Sequence, residues 1–443
     1  MARAGTAERP LRVAVIGAGP TGFYTAEALF RRAGLVVQLD LFDRLPTPFG
    51  LVRFGVAPDH QKIKSVTAQF DRIASSPGFR FFGHVELGKD VTVDDLRAHY
   101  HQFVYATGAQ TDRRMGIPGE DLQRSHPATD FVAWYNGHPD YRDCRFDLSQ
   151  ERAAVVGVGN VAVDVARILA RTPDELAATD ISDDALEALR GSRVREIHVL
   201  GRRGPAQAAF TNPEIRELGE LPGADIRTRE EEVRLDPLTA AALEKAPDRG
   251  IQKKVEMLQG YARRPASGKP RTIVLRFLVS PVALHGSAES GVVAMELVRN
   301  ELVATAAGTL QARATGHVEE LPVGLVFRSV GYRGLPLPGV PFHDAWGVIL
   351  NERGRVLDPD TREPRPGEYC AGWIKRGPTG VIGTNKPDAA ETVAAMIEDL
   401  EAGRVLAPPE PEPDAVEVLV RQRQPHWFSY ADWRRLDELE VAR

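Results

Sequence analysis

The sequence predicts an α/β fold in which two Rossmann-like dinucleotide-binding domains share one chain, and three observations predict it. A strand–glycine–helix pattern begins with Gly17-Ala18-Gly19-Pro20-Thr21-Gly22 and recurs at Gly157-Val158-Gly159-Asn160-Val161-Ala162. The strand after the first pattern closes on an acid, Asp43, and the strand after the second closes on Arg202 and Arg203. The chain has 443 residues, too many for one core, which asks for two or three domains.

Taken in order, residues 11–16 read as a short buried strand, Phe23 to Arg32 as an Ala-rich helix, and Val36 to Phe42 as a second strand. Together they make a βαβ unit. Residues 46–60, rich in Pro and Gly, read as a loop with little regular structure, and residues 102–108 as a strand stopped by a glycine. The second pattern starts from Ala153–Val156, and its next clear strand is Glu196 to Leu200. Residues 249–271 are basic and broken by Gly and Pro; strands then alternate from Thr272 to about Val330. A strand at Glu368 to Ala371, a Gly-rich loop and a helix to about Leu400 follow. A Pro/Glu-rich segment, 407–414, precedes a short tail carrying Trp427 and Trp433. The expected division is discontinuous. Residues 1–112 begin the first dinucleotide domain, 113–332 form the second, and 333–443 complete the first.

A bare GxGxxG spacing carries little in a chain with 40 glycines; its context carries more. Gly17 permits a tight turn, Gly19 lets the backbone approach a pyrophosphate, and Gly22 lets helix and strand pack closely. The helix N-terminus offers unpaired N–H groups and partial positive charge to the phosphates, and Asp43 would accept ribose hydroxyls. The second loop has Ala162 in the third glycine position. An acid at the end of its second strand would repel a 2′-phosphate, whereas two guanidiniums clamp it. The second loop therefore reads as an NADPH site. The alternative is a pair of solvated surface arginines.

Composition excludes several classes. The net charge is −5, so no overall basic field draws the chain to nucleic acid or anionic lipid. The most apolar stretch, Leu11 to Phe30, contains Arg12, Pro20 and Glu27 and fails as a membrane span. The N-terminus lacks the apolar core of a signal peptide, so a cytoplasmic location is expected. The two cysteines, Cys144 and Cys370, lie far apart, giving no CxxC pair and too few ligands for an iron–sulfur cluster. His99 and His101 read as surface residues, no third ligand being visible, and no metal is expected.

Several longer segments are more specific. They are Leu45-Pro46-Thr47-Pro48-Phe49-Gly50-Leu51-Val52-Arg53, Gly55-Val56-Ala57-Pro58-Asp59-His60, Val104-Tyr105-Ala106-Thr107-Gly108, Gly201-Arg202-Arg203-Gly204-Pro205 and Phe327-Arg328-Ser329-Val330-Gly331-Tyr332. The longest runs from Ala371-Gly372-Trp373 through Gly377-Pro378-Thr379-Gly380-Val381-Ile382-Gly383-Thr384-Asn385-Lys386. On these segments the chain resembles the adrenodoxin reductase family, most of all its actinobacterial ferredoxin–NADP(+) reductases, over nearly its whole length. The resemblance implies a glutathione-reductase-like architecture with FAD in the first domain and NADP(H) in the second. It implies that Gly17, Gly19, Thr21 and Gly22 line the FAD pyrophosphate, and Asp43 its ribose. Leu51, Leu87, Trp373, Gly380, Val381 and Ile382 would sit against the flavin and adenine ends. Arg113, Val158, Gly159, Asn160, Val161, Arg202, Arg203, Glu214 and Gly380 would hold NADP.

The activity it implies is NADPH:ferredoxin oxidoreduction, with a cytochrome P450 as a further consumer of the electrons. The alternatives are a same-fold flavoprotein with another acceptor, as in the small subunit of glutamate synthase, and a redox sensor that does not turn over. Gly377 to Lys386 reads as a turn opening a helix near Pro387, its positive end aimed at the flavin; it lacks the Gly-Lys-Ser/Thr of a phosphate loop. His60 and Glu214, in different domains by this division, are the expected catalytic pair, positioning the nicotinamide and managing a proton. Their plainer reading is a loop-capping histidine and a surface acid. The run Arg249, Lys253, Lys254, Arg263, Arg264, Lys269 and Arg271 would dock an acidic ferredoxin, or else form a solvated helix and loop.

Overall fold

The computed structural model describes residues 4–442. The chain divides into two compact units, Met1–Val56 with Gln61–Thr111 and Tyr332–Arg443, and Ala57–His60 with Asp112–Gly331.

In the first unit five strands lie parallel in the order Pro364–Cys370, Gln102–Tyr105, Leu11–Ile16, Val37–Asp43, Phe79–Gly83. Asn351–Glu352 and Arg355–Leu357 extend the sheet antiparallel beyond Pro364–Cys370. Leu11–Ile16 is buried along its whole length, the unbroken apolar run of a parallel strand covered on both faces. Leu11, Val13 and Val15 enter one core and Ala14 and Ile16 the other. Helices Pro20–Phe30 and Asn385–Glu401 pack on the first of these faces through Phe23, Ala26, Leu29, Ala389, Val393 and Met396.

The second unit has six parallel strands in the order Ser125–Pro127, Leu325–Arg328, Arg152–Val156, Glu196–Leu200, Arg271–Arg276, Ala224–Thr228. Ala153 and Val155 face the helical layer. Ala154 and Val156 face Val279, Leu284, Val292, Met295 and Leu297. Those residues belong to a three-stranded antiparallel sheet, Val279–Ser287, Gly291–Ala304 and Leu310–Pro322.

Four local expectations change. The 46–60 segment holds a one-turn helix, Leu51–Phe54, and its residues 57–60 group with the second unit rather than the first. The cause is Asp59, whose carboxylate is taken up by Arg167 and Arg171. Much of the basic run is a regular helix, Arg249–Arg263, because Val255, Leu258 and Tyr261 recur at helical spacing and bury one face despite Gly250 and Gly260. His99 and His101 are buried, not on the surface. His99 Nδ1 lies 2.7 Å from the Glu410 carbonyl, and His101 Nδ1 accepts the Arg12 N–H at 3.0 Å. Burial, then the charges of Arg9 and Arg12, pull His101 down to about 4, so it is a neutral acceptor at the foot of the sheet.

Candidate active site

The first glycine loop is closed by steric necessity. Gly17 has φ +111°, and a Cβ there would lie 2.5 Å from the Ala106 carbonyl oxygen; a Cβ on Gly22 would strike the Gly17 carbonyl. Gly19 caps helix Pro20–Phe30 with no side-chain hydrogen bond. Helices starting after Thr92, Thr172, Ser182, Asp236, Asp248 and Ser429 are each closed by that residue's side chain. The helices after Gly19 and Gly159 have no side-chain cap, which leaves their first turns open to a ligand's acceptors; the helix after Thr384 has none either, but its Asn385 N–H turns back to the Ile382 carbonyl.

Asp43 ends its strand as expected, and its carboxylate accepts N–H groups from Ala18 at 2.8 Å and Leu45 at 2.9 Å. Burial raises its pKa, against the pull of those two donors and of Arg44. The acid therefore braces the glycine loop as well as closing its strand. Gly372 comes so close to Thr21 that any Cβ would meet the threonine hydroxyl, which brings the Ala371-Gly372-Trp373 segment onto the first glycine loop. Trp373 tilts against Tyr332 with ring centres 5.4 Å apart and donates its indole N–H to the Thr379 carbonyl at 3.1 Å. Val381 is 54 % exposed; Gly380 sits on the same open turn. The following long helix begins at Asn385, two residues earlier than expected. Leu51 opens the short helix after Gly50, whereas Leu87 packs into the opposite core with Phe42 and Val91.

In the second unit Gly159 caps helix Asn160–Ala170, and Ala162 is fully buried, so alanine fits where the first loop has glycine. The Val158 carbonyl accepts the N–H groups of Ala209 and Phe210, and Asn160 Oδ1 accepts that of Thr211. Gly201 lies against the Val158 side chain. Arg202 is exposed and Arg203 half-buried, and neither guanidinium has an ion pair among the described residues. Arg113 is exposed and its N–H binds the Gly331 carbonyl.

His60 and Glu214 meet within this second unit, a correction to their expected separation. His60 Nε2 is 3.7 Å from Glu214 and 3.1 Å from Glu217. Beneath them Arg167, fully buried, donates to Asp59 at 2.7 and 3.0 Å, to Asp164 at 2.7 Å and to Glu214 at 3.3 Å. Arg171 adds bonds to Asp59 and Glu217. Although His60, Glu214 and Glu217 bring three donor atoms within 4.8 Å of one another, two guanidiniums share the same acids. This is an ion-pair network rather than a cation cage. Asp59, Asp164, Arg167, Arg171 and Glu217 escaped the sequence reading. Their signal was there: Asp164, Arg167 and Arg171 make one charged stripe on an otherwise apolar helix.

The network splits its acids. Burial alone would raise Asp59, but the hydrogen bond and charge of Arg167, with Arg171, bring it down to about 2. Burial pushes Asp164 up to about 6 against Arg167, with Glu214 adding to the rise. Burial lowers His60, yet its bond to Glu217 and the charges of Asp164 and Glu214 prevail and raise it. An acid raised in the folded state costs stability as pH climbs from its ordinary 3.8 to about 6. Asp164→Asn should therefore gain about 2–3 kcal/mol relative to the wild type between pH 4 and pH 7, as measured by urea unfolding at each pH. A difference that stays constant with pH would show that Asp164 ionises normally.

Comparison with known proteins gives the chain its family. Residues 11–199 match the family model described as pyridine nucleotide-disulphide oxidoreductase. The chain is 47% identical to NADPH-ferredoxin reductase FprA of Mycobacterium tuberculosis over 98% of its length and 94% of the relative's. It is 42% identical to human mitochondrial NADPH:adrenodoxin oxidoreductase over 99% and 89%. The solved structure of M. tuberculosis FprA in complex with NADPH superposes with a TM-score of 0.90 at 46% identity, covering 96% of this chain and 93% of that one. With two glycine-loop units, an acid and an arginine pair at their strand ends, and these relatives along almost its entire length, the chain belongs to the adrenodoxin reductase family.

Proposed function

We propose that the protein is an NADPH:ferredoxin oxidoreductase with FAD at the first glycine loop and NADPH at the second. The observation that carries this is the contrast between the two strand ends: a braced carboxylate at Asp43 and two uncommitted guanidiniums at Arg202 and Arg203. FAD fits the first site. Uncapped N–H groups at Gly19 suit a pyrophosphate, and the Asp43 carboxylate keeps lone pairs for a ribose. FAD supplies the hydride acceptance and single-electron release that no side chain can.

The chain's own residues orient and shield. Gly17, Gly19, Thr21 and Gly22 cradle the FAD phosphates, and Leu51, Leu87, Trp373, Gly380, Val381 and Ile382 supply surface toward its rings. Arg113, Val158, Gly159, Asn160 and Val161 hold the NADPH phosphates, while Arg202 and Arg203 grip the 2′-phosphate. The uncapped N-terminus at Thr384 adds positive potential where the ring accepts charge. Glu214 and a His60 held by Glu217 position the nicotinamide and hold a proton at the imidazole. His60→Gln should slow flavin reduction in stopped flow by about tenfold, within the range that misplacing reacting groups produces. An unchanged rate would remove His60 from the reaction.

For the acceptor side the basic helix is narrower than its composition suggests. Lys254 is committed to the Ala208 carbonyl, Arg264 to that of Gly219, Lys269 to that of Leu221, and Arg271 to those of Val194 and Arg171. Arg249, Lys253 and Arg263 are exposed without ion pairs among the described residues, and they are the steering charges for an acidic ferredoxin. Lys253→Glu should raise the KM for ferredoxin about threefold to tenfold and leave ferricyanide reduction alone; equal effects on both would remove the docking role. A cytochrome P450 fed by that ferredoxin is a fitting consumer, and the cytoplasm, where NADPH is made, a fitting location.

The deciding experiment is anaerobic titration with NADPH and, separately, NADH, followed in the flavin absorbance band. Bleaching by NADPH well ahead of NADH supports the assignment. A colourless protein, or equal bleaching by both, overturns it.

A further inference from the structure

The C-terminal helix Tyr430–Val441 belongs to the first unit and no motif explains it. It is anchored at its start. Phe428 and Gly83 exchange backbone hydrogen bonds, both 2.8 Å, so the tail pairs with the edge of the seven-stranded sheet. The Ser429 and Asp432 side chains form a reciprocal cap, and Tyr430 hydrogen-bonds Asp71.

The rest of the helix reaches the turn that faces the first glycine loop. Trp433 is 2 % exposed and meets Phe49 edge to face, ring centres 5.6 Å apart at 89°. Phe49 holds φ +84°, a conformation a phenylalanine adopts only under constraint, and Gly50 follows with φ +49°. The Phe49 N–H binds the Ala18 carbonyl at 2.7 Å, and a Cβ on Gly50 would lie 2.9 Å from Gly19 Cα. The turn thus sits directly on the glycine loop. From its far side Arg53 lies 5.0 Å over the Trp433 ring and pairs with Glu440 through two bonds of 2.9 and 2.6 Å.

We infer that this helix is a strut for FAD: Trp433 and Glu440 hold the Phe49-Gly50-Leu51 turn against the first glycine loop, so the chain's last helix governs flavin retention. Trp433 is a positioning residue, acting through Phe49 and Arg53. The indole N–H has no partner among the described residues, so the ring's bulk is what matters, and phenylalanine can stand in for it. The inference rests on the assignment of FAD to this loop.

The test is the rate at which holoprotein releases FAD in mild potassium bromide, read by the rise of free-flavin fluorescence. Trp433→Ala should release FAD about tenfold faster, the scale of a lost buried aromatic contact, and Trp433→Phe within about twofold of the wild type. The bound flavin of Trp433→Ala should also lose resolution in its visible band, while NADP+ binding stays unchanged. Release from Trp433→Ala at the wild-type rate overturns the strut. Should Trp433→Ala not fold, Glu440→Gln decides by the same assay. About threefold faster release, fitting a part-exposed ion pair, supports the strut, and no change overturns it. Flavin content separates the two readings. A colourless wild type sinks the FAD assignment, whereas a yellow wild type whose variants release normally sinks the strut alone.

Discussion

Replacing Arg202 and Arg203 together by alanine is expected to lower the preference for NADPH over NADH, measured as the ratio of kcat/KM values, by about a hundred- to ten-thousand-fold. Each guanidinium that meets a phosphate by charge-assisted hydrogen bonds contributes about 1.5–3 kcal/mol, and tenfold corresponds to about 1.4 kcal/mol. The loss should fall almost wholly on NADPH, because NADH lacks the group they grip. Neither arginine has an ion pair to break among the described residues, so stability should hold. Arg202→Lys/Arg203→Lys should recover only part of the preference, since an ammonium cannot make the paired planar contact. An unchanged ratio in the double alanine variant would make them solvated surface residues after all.

The second large effect concerns Arg167. Its guanidinium is fully buried and shared among Asp59, Asp164 and Glu214. Arg167→Met keeps much of the volume and strands three buried acids. Removing one side of a buried ionic cluster costs about 3–5 kcal/mol, which should appear as an earlier urea midpoint for the second unit. The acids have one partial escape. Arg167 holds the Asp59 and Asp164 carboxyls down, so without it both take up protons more readily and the deficit should shrink below about pH 5. An unfolding free energy within about 0.5 kcal/mol of the wild type would mean that the network contributes no net stability.

Both predictions show how far the sequence could be read. Gly17, Gly157, Asp43 and the Arg202–Arg203 pair were legible because each answers to chain-local geometry: a tight turn, a helix start, a strand end. The parallel sheets were legible from runs such as Leu11–Ile16 for the same reason. Arg167 was not, because its three partners come from residues 59, 164 and 214, and only the fold brings them together. Residues 57–60 were placed in the wrong unit on the same account: chain continuity argued for the first, and the two arginines holding Asp59 prevailed. The basic run misled differently. Its composition was right, but Lys254, Arg264, Lys269 and Arg271 had backbone carbonyls to satisfy inside the unit, which no count of charges reveals. His99 and His101 were misjudged because an imidazole can serve a buried backbone, donating to the Glu410 carbonyl or accepting the Arg12 N–H, as readily as it can face water.

The strand order of the first sheet has a consequence for how the protein is made. Strand Gln102–Tyr105 pairs with Leu11–Ile16 on one side, while its other side waits for Pro364–Cys370. Between them the ribosome must add residues 106–363, which include all of the second unit except Ala57–His60; at 5–20 residues per second that takes roughly 10–50 s. Throughout that interval the nascent first sheet presents an open, apolar edge of the kind that recruits foreign strands. The intervening unit is nearly continuous in sequence and can fold while the edge stands open. Aggregation during overproduction should therefore trace to the N-terminal hundred residues, and slowing translation after residue 332 should worsen it.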